Sequence, residues 1–449
     1  MLYGCLVPHP PLIVPGVGDG TEIPDTRAAY EEIASEIDDI NPDVLVMFSP
    51  HSVMYADYFH ISPGKTGKGD FGSFNAPQVN FTVEYDNELS RLISETAKSE
   101  NIDAGFLGER DKNLDWGVTV PLYFFKCRKI VRIGLSGFDY ITHYKFGMCI
   151  REAIEKLRRK AVIVASGDMS HKLGGSYGFS EYGVKHDNYV RECLEQSDFR
   201  KLMNIDPSVA ENAAECGLRS IMMLAGALDG LNVTSKVLSY EAPYGVGYLV
   251  AAVCGDGKCD SLLPKIISDK DSRIKAIKEG EDDFVKLARA NVEHFVRTGK
   301  TISLPKDLPK EMIDNKAGVF VSIKKNGNLR GCIGTTAPTT ANIASEIIQN
   351  GVSASSGDPR FDPIEPEELD DLTYSVDVLF PPEPVDSSDK LDVKKYGVIV
   401  SSGYKRGLLL PNLDGVDTIE EQVKIAMQKG GIKPTDKYSL ERFEVIRHK

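Results

Sequence analysis

The chain has little of several things that would have fixed its class at once. Cysteine is sparse, eight in 449 residues with no dense framework. That argues against a disulfide-stapled secreted module and for free, mostly buried thiols in a reducing compartment. Only Cys254 and Cys259 lie close together, in CGDGKC, and without a second pair that spacing does not make a zinc site. Basic residues are outnumbered, 53 Lys and Arg against 66 Asp and Glu for a net charge of −13. The average surface therefore repels a polyanion, and nucleic acid is not an expected partner. No stretch reaches the roughly 20 apolar residues a membrane span requires. The opening MLYGCLVPHPP has no basic leader and too short an apolar run for a signal peptide. A cytoplasmic location with no membrane partner is the expectation. Tryptophan is nearly missing too, and Trp116 stands alone.

What is present reads as two domains. A chain of 449 residues exceeds what one hydrophobic core usually supports, and 41% hydrophobic with 27% charged residues is ordinary for a globular protein. Up to about residue 254, short β-rich runs alternate with amphipathic helical stretches. The strands are read at Leu2–Val7, Val44–Ser49, Ile130–Leu135, Ala161–Ser166, Val233–Tyr240 and Gly247–Val253. Helices are read at Thr26–Ile40, Asp86–Ser99, His143–Arg158, Tyr182–Gln196 and Ala213–Leu228. This pattern predicts an α/β fold, a mostly parallel or mixed sheet covered by helices. Runs such as VLVMF and AVIVAS suit strands buried on both faces. GDGKCDSLLPKIISDKDSR is glycine- and charge-rich with no sustained period. The boundaries are accordingly 1–260 for the first domain, 261–275 for a linker and 276–449 for the second. The second domain carries the alternating runs AGVFVSI, LTYSVDVLF and YGVIVS. Helices at about Glu281–Arg297, Thr340–Gln349 and Thr418–Gln428 complete a smaller α+β unit.

In an open α/β sheet, function collects where loops leave the carboxyl ends of the strands. Three of the eight histidines fall at such places: His9 in VPHPP, His51 in FSPHS and His171 in SGDMSH. Singly each reads as a hydrogen-bonded loop histidine. Together they deliver three imidazoles to one sheet edge, and imidazole is the commonest protein ligand for zinc and iron. Prolines around His9 and before His51 suit pre-organised ligands and rigid turns equally. His60, His143 and His186 read as structural or surface residues.

In order, VPHPP, SPHS, SGDMSH and AAECGLRSIMMLAGAL resemble the LigB-like class III extradiol dioxygenases and the related Memo family of the same fold. The resemblance covers about residues 1–254. It implies His9, His51 and Glu215 as metal ligands and His171 as the acid and base beside the metal. It also implies iron(II) as cofactor, with zinc or another divalent metal able to bind the same ligands. A two-histidine, one-carboxylate face leaves positions open on iron(II) for substrate oxygens and dioxygen. Read from the residues alone, Glu215 is a first-turn glutamate favoured by a helix dipole, and Glu211 is a near neighbour that could take the same role. Trp116, Asp168 and Glu241 are candidate pocket residues. Such dioxygenases often carry a histidine after the aspartate in the segment matching LDWGVTVPL, where this chain has Trp116.

Residues from about 276 onward resemble the AMMECR-type domain through NLRGCIGT and DPRFDPI. Fusion of the two modules resembles the AmmeMemoRadiSam set, which implies a radical S-adenosylmethionine protein as partner. In this motif Arg330 and Cys332 share one face of a strand. A cysteine beside an arginine can be an activated nucleophile, or a buried thiol beside a structural arginine. A third reading is a cleft of Arg330, Cys332 and Arg360 that recognises a carboxylate or phosphate.

The expected function is an iron(II)-dependent oxidoreductase of the extradiol type, acting on a small aromatic or related molecule. The alternative is a Memo-like metal-binding or adaptor protein that cleaves no ring and works with the radical S-adenosylmethionine partner. Hydrolysis by a zinc-activated water ranks third. A homo-oligomer is compatible with either of the first two.

Overall fold

The computed structural model describes residues 1–108, 113–413, 415–416 and 418–449. It divides into two units, Met1–Asp269 and Lys270–Lys449. The stretch 261–275, expected as a linker, is mostly helical, because one helix runs Leu263–Gly280. Its buried side chains include Ile266 and Ile274, two turns apart among charged residues, so no period stands out in the sequence.

The first unit contains ten strands: β1 (Leu2–Val7), β2 (Val44–Ser49), β3 (Phe59–His60), β4 (Thr66–Phe71), β5 (Ala76–Tyr85), β6 (Ala104–Gly105), β7 (Lys129–Gly134), β8 (Ala161–Ser166), β9 (Asn232–Glu241) and β10 (Tyr248–Asp256). Eight form one mixed sheet in the order β4-β5-β7-β2-β8-β1-β10-β9, and β3 pairs with β6 separately. From β5 to β1 the pairings are parallel, while β4, β10 and β9 join antiparallel. Successive residues enter opposite cores: Val44, Val46 and Phe48 pack on one face of the sheet, Leu45 and Met47 on the other. This is why the central strands read as unbroken apolar runs. Helices Asn87–Ser99, Tyr140–Leu157 and Leu218–Ala227 contribute to the first core. Pro24–Ile40 and Trp116–Phe124 contribute to the second.

Two departures from expectation matter for the site. The helix expected over Ala213–Leu228 begins only at Leu218 and runs to Ala227; Ala213 ends a separate helix, Pro207–Ala213, and a bend in which Ala214 takes φ 52° lies between them. The edge strand β4 and its neighbour β5 are not among the expected strands, since TGKGDF is glycine-rich and half of the side chains of β5 are exposed.

The second unit is built on strands β11 (Gly318–Lys325), β12 (Asn328–Gly334), β13 (Leu372–Leu379), β14 (Glu383–Val385), β15 (Tyr396–Ser402), β16 (Lys405–Leu409) and β17 (Ser439–His448). They form an antiparallel sheet in the order β12-β11-β13-β17-β15-β16, with β14 against β17. Helices Asp283–Thr298 and Ile343–Ser356 supply its larger core, and Ile419–Lys429 packs on the smaller one. Among the described residues no helix is long and apolar enough to cross a membrane.

Candidate metal centre

Strands β2, β8 and β1 are adjacent and parallel, so their carboxyl ends open on one side of the sheet. His51 follows β2, Asp168 and His171 follow β8, and His9 follows β1. The sheet order therefore brings together residues that lie up to 162 positions apart by numbering, 171 less 9.

His9 is 2% exposed and held from three sides. Its backbone N–H donates to Asp168 Oδ1 at 2.9 Å, and its Nδ1 lies 3.0 Å from Ser166 Oγ. The preceding turn is pinned by the buried Tyr30 hydroxyl, which donates to the Pro8 carbonyl. With Nδ1 bonded to Ser166, Nε2 is the nitrogen turned to the site. It lies 3.0 Å from His51 Nε2 and 3.8 Å from Cys216 Sγ. Ligand atoms each about 2.0–2.3 Å from one ion sit roughly 3–4 Å apart, so these spacings fit a shared tetrahedral ion. The ligand atoms of His9, His51 and Cys216 all lie within 4.8 Å of one another. Burial first, then the neighbouring His9, pushes His51 down to about 4. Its imidazole is thus neutral near pH 7, the form that binds a metal.

Glu215, expected as the third ligand, is not brought into this group. Its Oε2 accepts the backbone N–H of Leu218 at 2.6 Å and caps the helix Leu218–Ala227. The next residue, Cys216, faces the histidines instead. The bend after Ala214 turns it inward, and contact between Gly167 and Gly217 allows the two loops to meet. A Cβ on Gly167 would stand 2.1 Å from Gly217 Cα. Through that contact Cys216 N–H donates to the Asp168 carbonyl at 3.3 Å, and Asp168 N–H donates to Cys216 Sγ at 3.2 Å. Burial first, then the carboxylates of Asp168 and Glu215, pushes the Cys216 thiol well above its usual range. A bound cation would reverse that balance by displacing the proton. No sequence rule separates Cys216 from Glu215. Only the break in the helix decides which of the two faces inward.

Asp168 and His171 lie beside this group, with Asp168 Oδ2 3.6 Å from His9 Nε2. His171 Nδ1 is 2.7 Å from the Ala214 carbonyl, which can only accept, so Nδ1 carries the hydrogen and Nε2 the lone pair. Trp116 opens the helix Trp116–Phe124 and lays its ring against His51, centroid to centroid 4.1 Å. Behind it the fully buried Arg132 pairs with Asp115, which also accepts from Ser49 Oγ at 2.5 Å. Glu241 is elsewhere: its Oε2 takes both the N–H and the hydroxyl of Thr26, at 2.6 and 2.7 Å, at the start of the helix Pro24–Ile40.

In the second unit, the arginines of the expected anion cleft are already occupied. Arg330 forks onto Glu368 at 3.0 and 2.8 Å, and Arg360 forks onto Asp358 at 2.9 and 2.7 Å. Cys332 donates its N–H to Asp358 Oδ2 at 2.9 Å, and its sulfur accepts from Ser322 Oγ at 3.2 Å. The hydrogen bonds from Arg360 hold Asp358 well below the usual carboxylate range, against burial. These groups tie β12 to the loop 358–368.

Residues 3–251 match the family described as the catalytic LigB subunit of aromatic ring-opening dioxygenase, and residues 285–448 match AMMECR1. A protein of Clostridium acetobutylicum is 41% identical, over 99% of this chain and 98% of its own length. One of Thermotoga maritima is 50% identical over 38% of this chain and 99% of its own length. Among solved structures, an uncharacterized protein of Pyrococcus horikoshii matches with TM-score 0.34 and 33% identity, covering 36% of this chain and 88% of that one. An uncharacterized protein of Escherichia coli K12 matches with TM-score 0.38 and 11% identity, covering 57% and 100%.

Proposed function

This chain belongs to the LigB family, its LigB domain joined to an AMMECR1 domain, and from that premise we propose that it is a Memo-like metal-binding protein whose ligands are His9, His51 and Cys216. The observation that carries the reading is the convergence of two imidazole nitrogens and one thiol sulfur within 4.8 Å, while Glu215 is spent on a helix end. Two nitrogens and a soft sulfur suit zinc, copper(I) or iron(II) better than hard cations such as magnesium or calcium. When bound, the ion supplies a Lewis acid with open positions. His171, with its Nε2 lone pair beside the ligands, would take or return a proton on a small-molecule substrate. Trp116 narrows the space next to His51, which argues against the catechol ring-opening reaction.

The discriminating experiment compares metal content after purification without oxygen. Cys216→Ala is expected to lose the ion and Glu215→Gln to keep it, since glutamine can still accept the Leu218 N–H. The opposite outcome would restore the two-histidine, one-carboxylate iron(II) site and with it the oxidoreductase reading. That second reading draws support from the family's own description and from His171 beside the ligands. Partnership with a radical S-adenosylmethionine protein belongs to the Memo-like reading, and the fused AMMECR1 domain is its support.

A further inference from the structure

The thiol that completes the first ligand group also completes another. Asp168, His171 and Cys216 likewise place their ligand atoms within 4.8 Å of one another. The two groups share only Cys216. We propose that the chain holds two cations side by side, bridged by the Cys216 thiolate: one on His9 and His51, the other on Asp168 and His171. The inference rests on the metal-binding reading above and extends it to a second position.

Each donor of the second group has one atom committed to the scaffold and one left over. Asp168 Oδ1 accepts the His9 N–H at 2.9 Å, which leaves Oδ2. His171 donates Nδ1–H to the Ala214 carbonyl at 2.7 Å, which leaves the Nε2 lone pair. The loop that carries both is clamped at the two residues between them. Ser170 N–H donates to the buried Asp187 at 2.8 Å, and Met169 N–H and the Ser170 carbonyl both bond Gly247 at 2.8 Å. Pre-organised donors of this kind bind without first being ordered.

The shared thiol and the charge agree with two adjacent ions. A thiolate common to both donor groups lets two ions sit about 3.5–4 Å apart, the separation of two-metal sites. A thiolate bridges two soft or borderline ions readily. Asp168 and Cys216 bring two negative charges on binding, and Glu215 adds its field from the adjacent helix end without being a ligand. With the second ion bound, the Nε2 lone pair of His171 serves that ion in place of the proton transfer proposed above.

Equilibrium dialysis of the full chain against zinc or cobalt(II), with metal analysis, tests this. The wild type should bind two ions. His171→Ala and Asp168→Asn should each bind one, the weaker ion losing affinity about 100-fold or more while the other changes less than tenfold. Asparagine keeps the acceptor for the His9 N–H, so that variant tests the ligand and leaves the scaffold bond in place. His51→Ala should also bind one, and it should be the ion that His171→Ala loses. A single ion in the wild type that survives both His171→Ala and Asp168→Asn would overturn the bridged pair while leaving the metal-binding reading intact. A single ion lost in His51→Ala and His171→Ala alike would equally overturn it, in favour of one ion shared by all five donors. No ion in the wild type would sink the metal-binding reading itself.

Discussion

Asp115 shows how much one side chain can hold near the proposed metal ligands. It is the counter-charge of Arg132, which has no exposed surface, and it fixes Ser49 at the end of β2 just before His51. Removing one partner of a buried ion pair strands the other. Asp115→Ala should therefore cost about 3–5 kcal/mol in denaturant unfolding. A cost below about 1 kcal/mol would mean that Arg132 finds another anion. Glu368 gives a residue-scale statement about pH. Burial alone would raise it, but hydrogen bonds from Arg330, the Glu365 N–H and Lys325 outweigh that and hold it at about 2, against a usual value of 4.5. Because the folded value is the lower one, its contribution is fully present above pH 4.5 and fades as the pH falls toward 2. The loss should be of order 1–3 kcal/mol, given partial solvent access. The acid limb of the unfolding curve should be shallower in Glu368→Gln, and an unchanged limb would place the acid sensitivity elsewhere.

At the scale of elements, the strands that carry ligands could be read because both of their faces are buried and a histidine follows each. Val44–Ser49 and Ala161–Ser166 are unbroken apolar runs, and the chain leaves both at a loop bearing a histidine. The third ligand could not be read, because a continuous helical pattern over 213–228 conceals the bend at Ala214. Trp116–Phe124 was equally hidden, being nine residues long with Pro121 inside. Strand β5, between β4 and β7, has no apolar run to mark it because one side of it faces solvent. The bend depends on two loops touching backbone to backbone. Gly167→Ala would drive a methyl into Gly217, with no flexible side chain available to yield. It should destabilise the fold by roughly 1–3 kcal/mol and weaken metal binding by pulling Cys216 away from the histidines. Thermal unfolding with and without zinc would separate the two effects. An equal metal-induced shift in melting temperature in variant and wild type would show that the loop contact does not position Cys216.

For the whole molecule, the net charge of −13 makes the average surface repel polyanions and attract cations. Two units rather than one follow from the chain's length, and every donor of the proposed metal centre comes from residues 9 to 216 of the first unit. The proposed ligands are spread so widely along the chain that only the completed first-unit sheet assembles them, so an ion that binds only the folded form stabilises that whole unit. At a hundredfold excess over its dissociation constant the gain is about 2.7 kcal/mol. The scarcity of tryptophan acquires a use at this scale. The single indole of all 449 residues lies 4.1 Å from the ring of His51. All tryptophan fluorescence from this protein therefore originates beside the proposed metal centre. Its emission should change as zinc is titrated in, saturating with occupancy of His51, and the change should vanish in His51→Ala. A spectrum indifferent to zinc in a chain that demonstrably binds it would mean that the ion sits away from the indole.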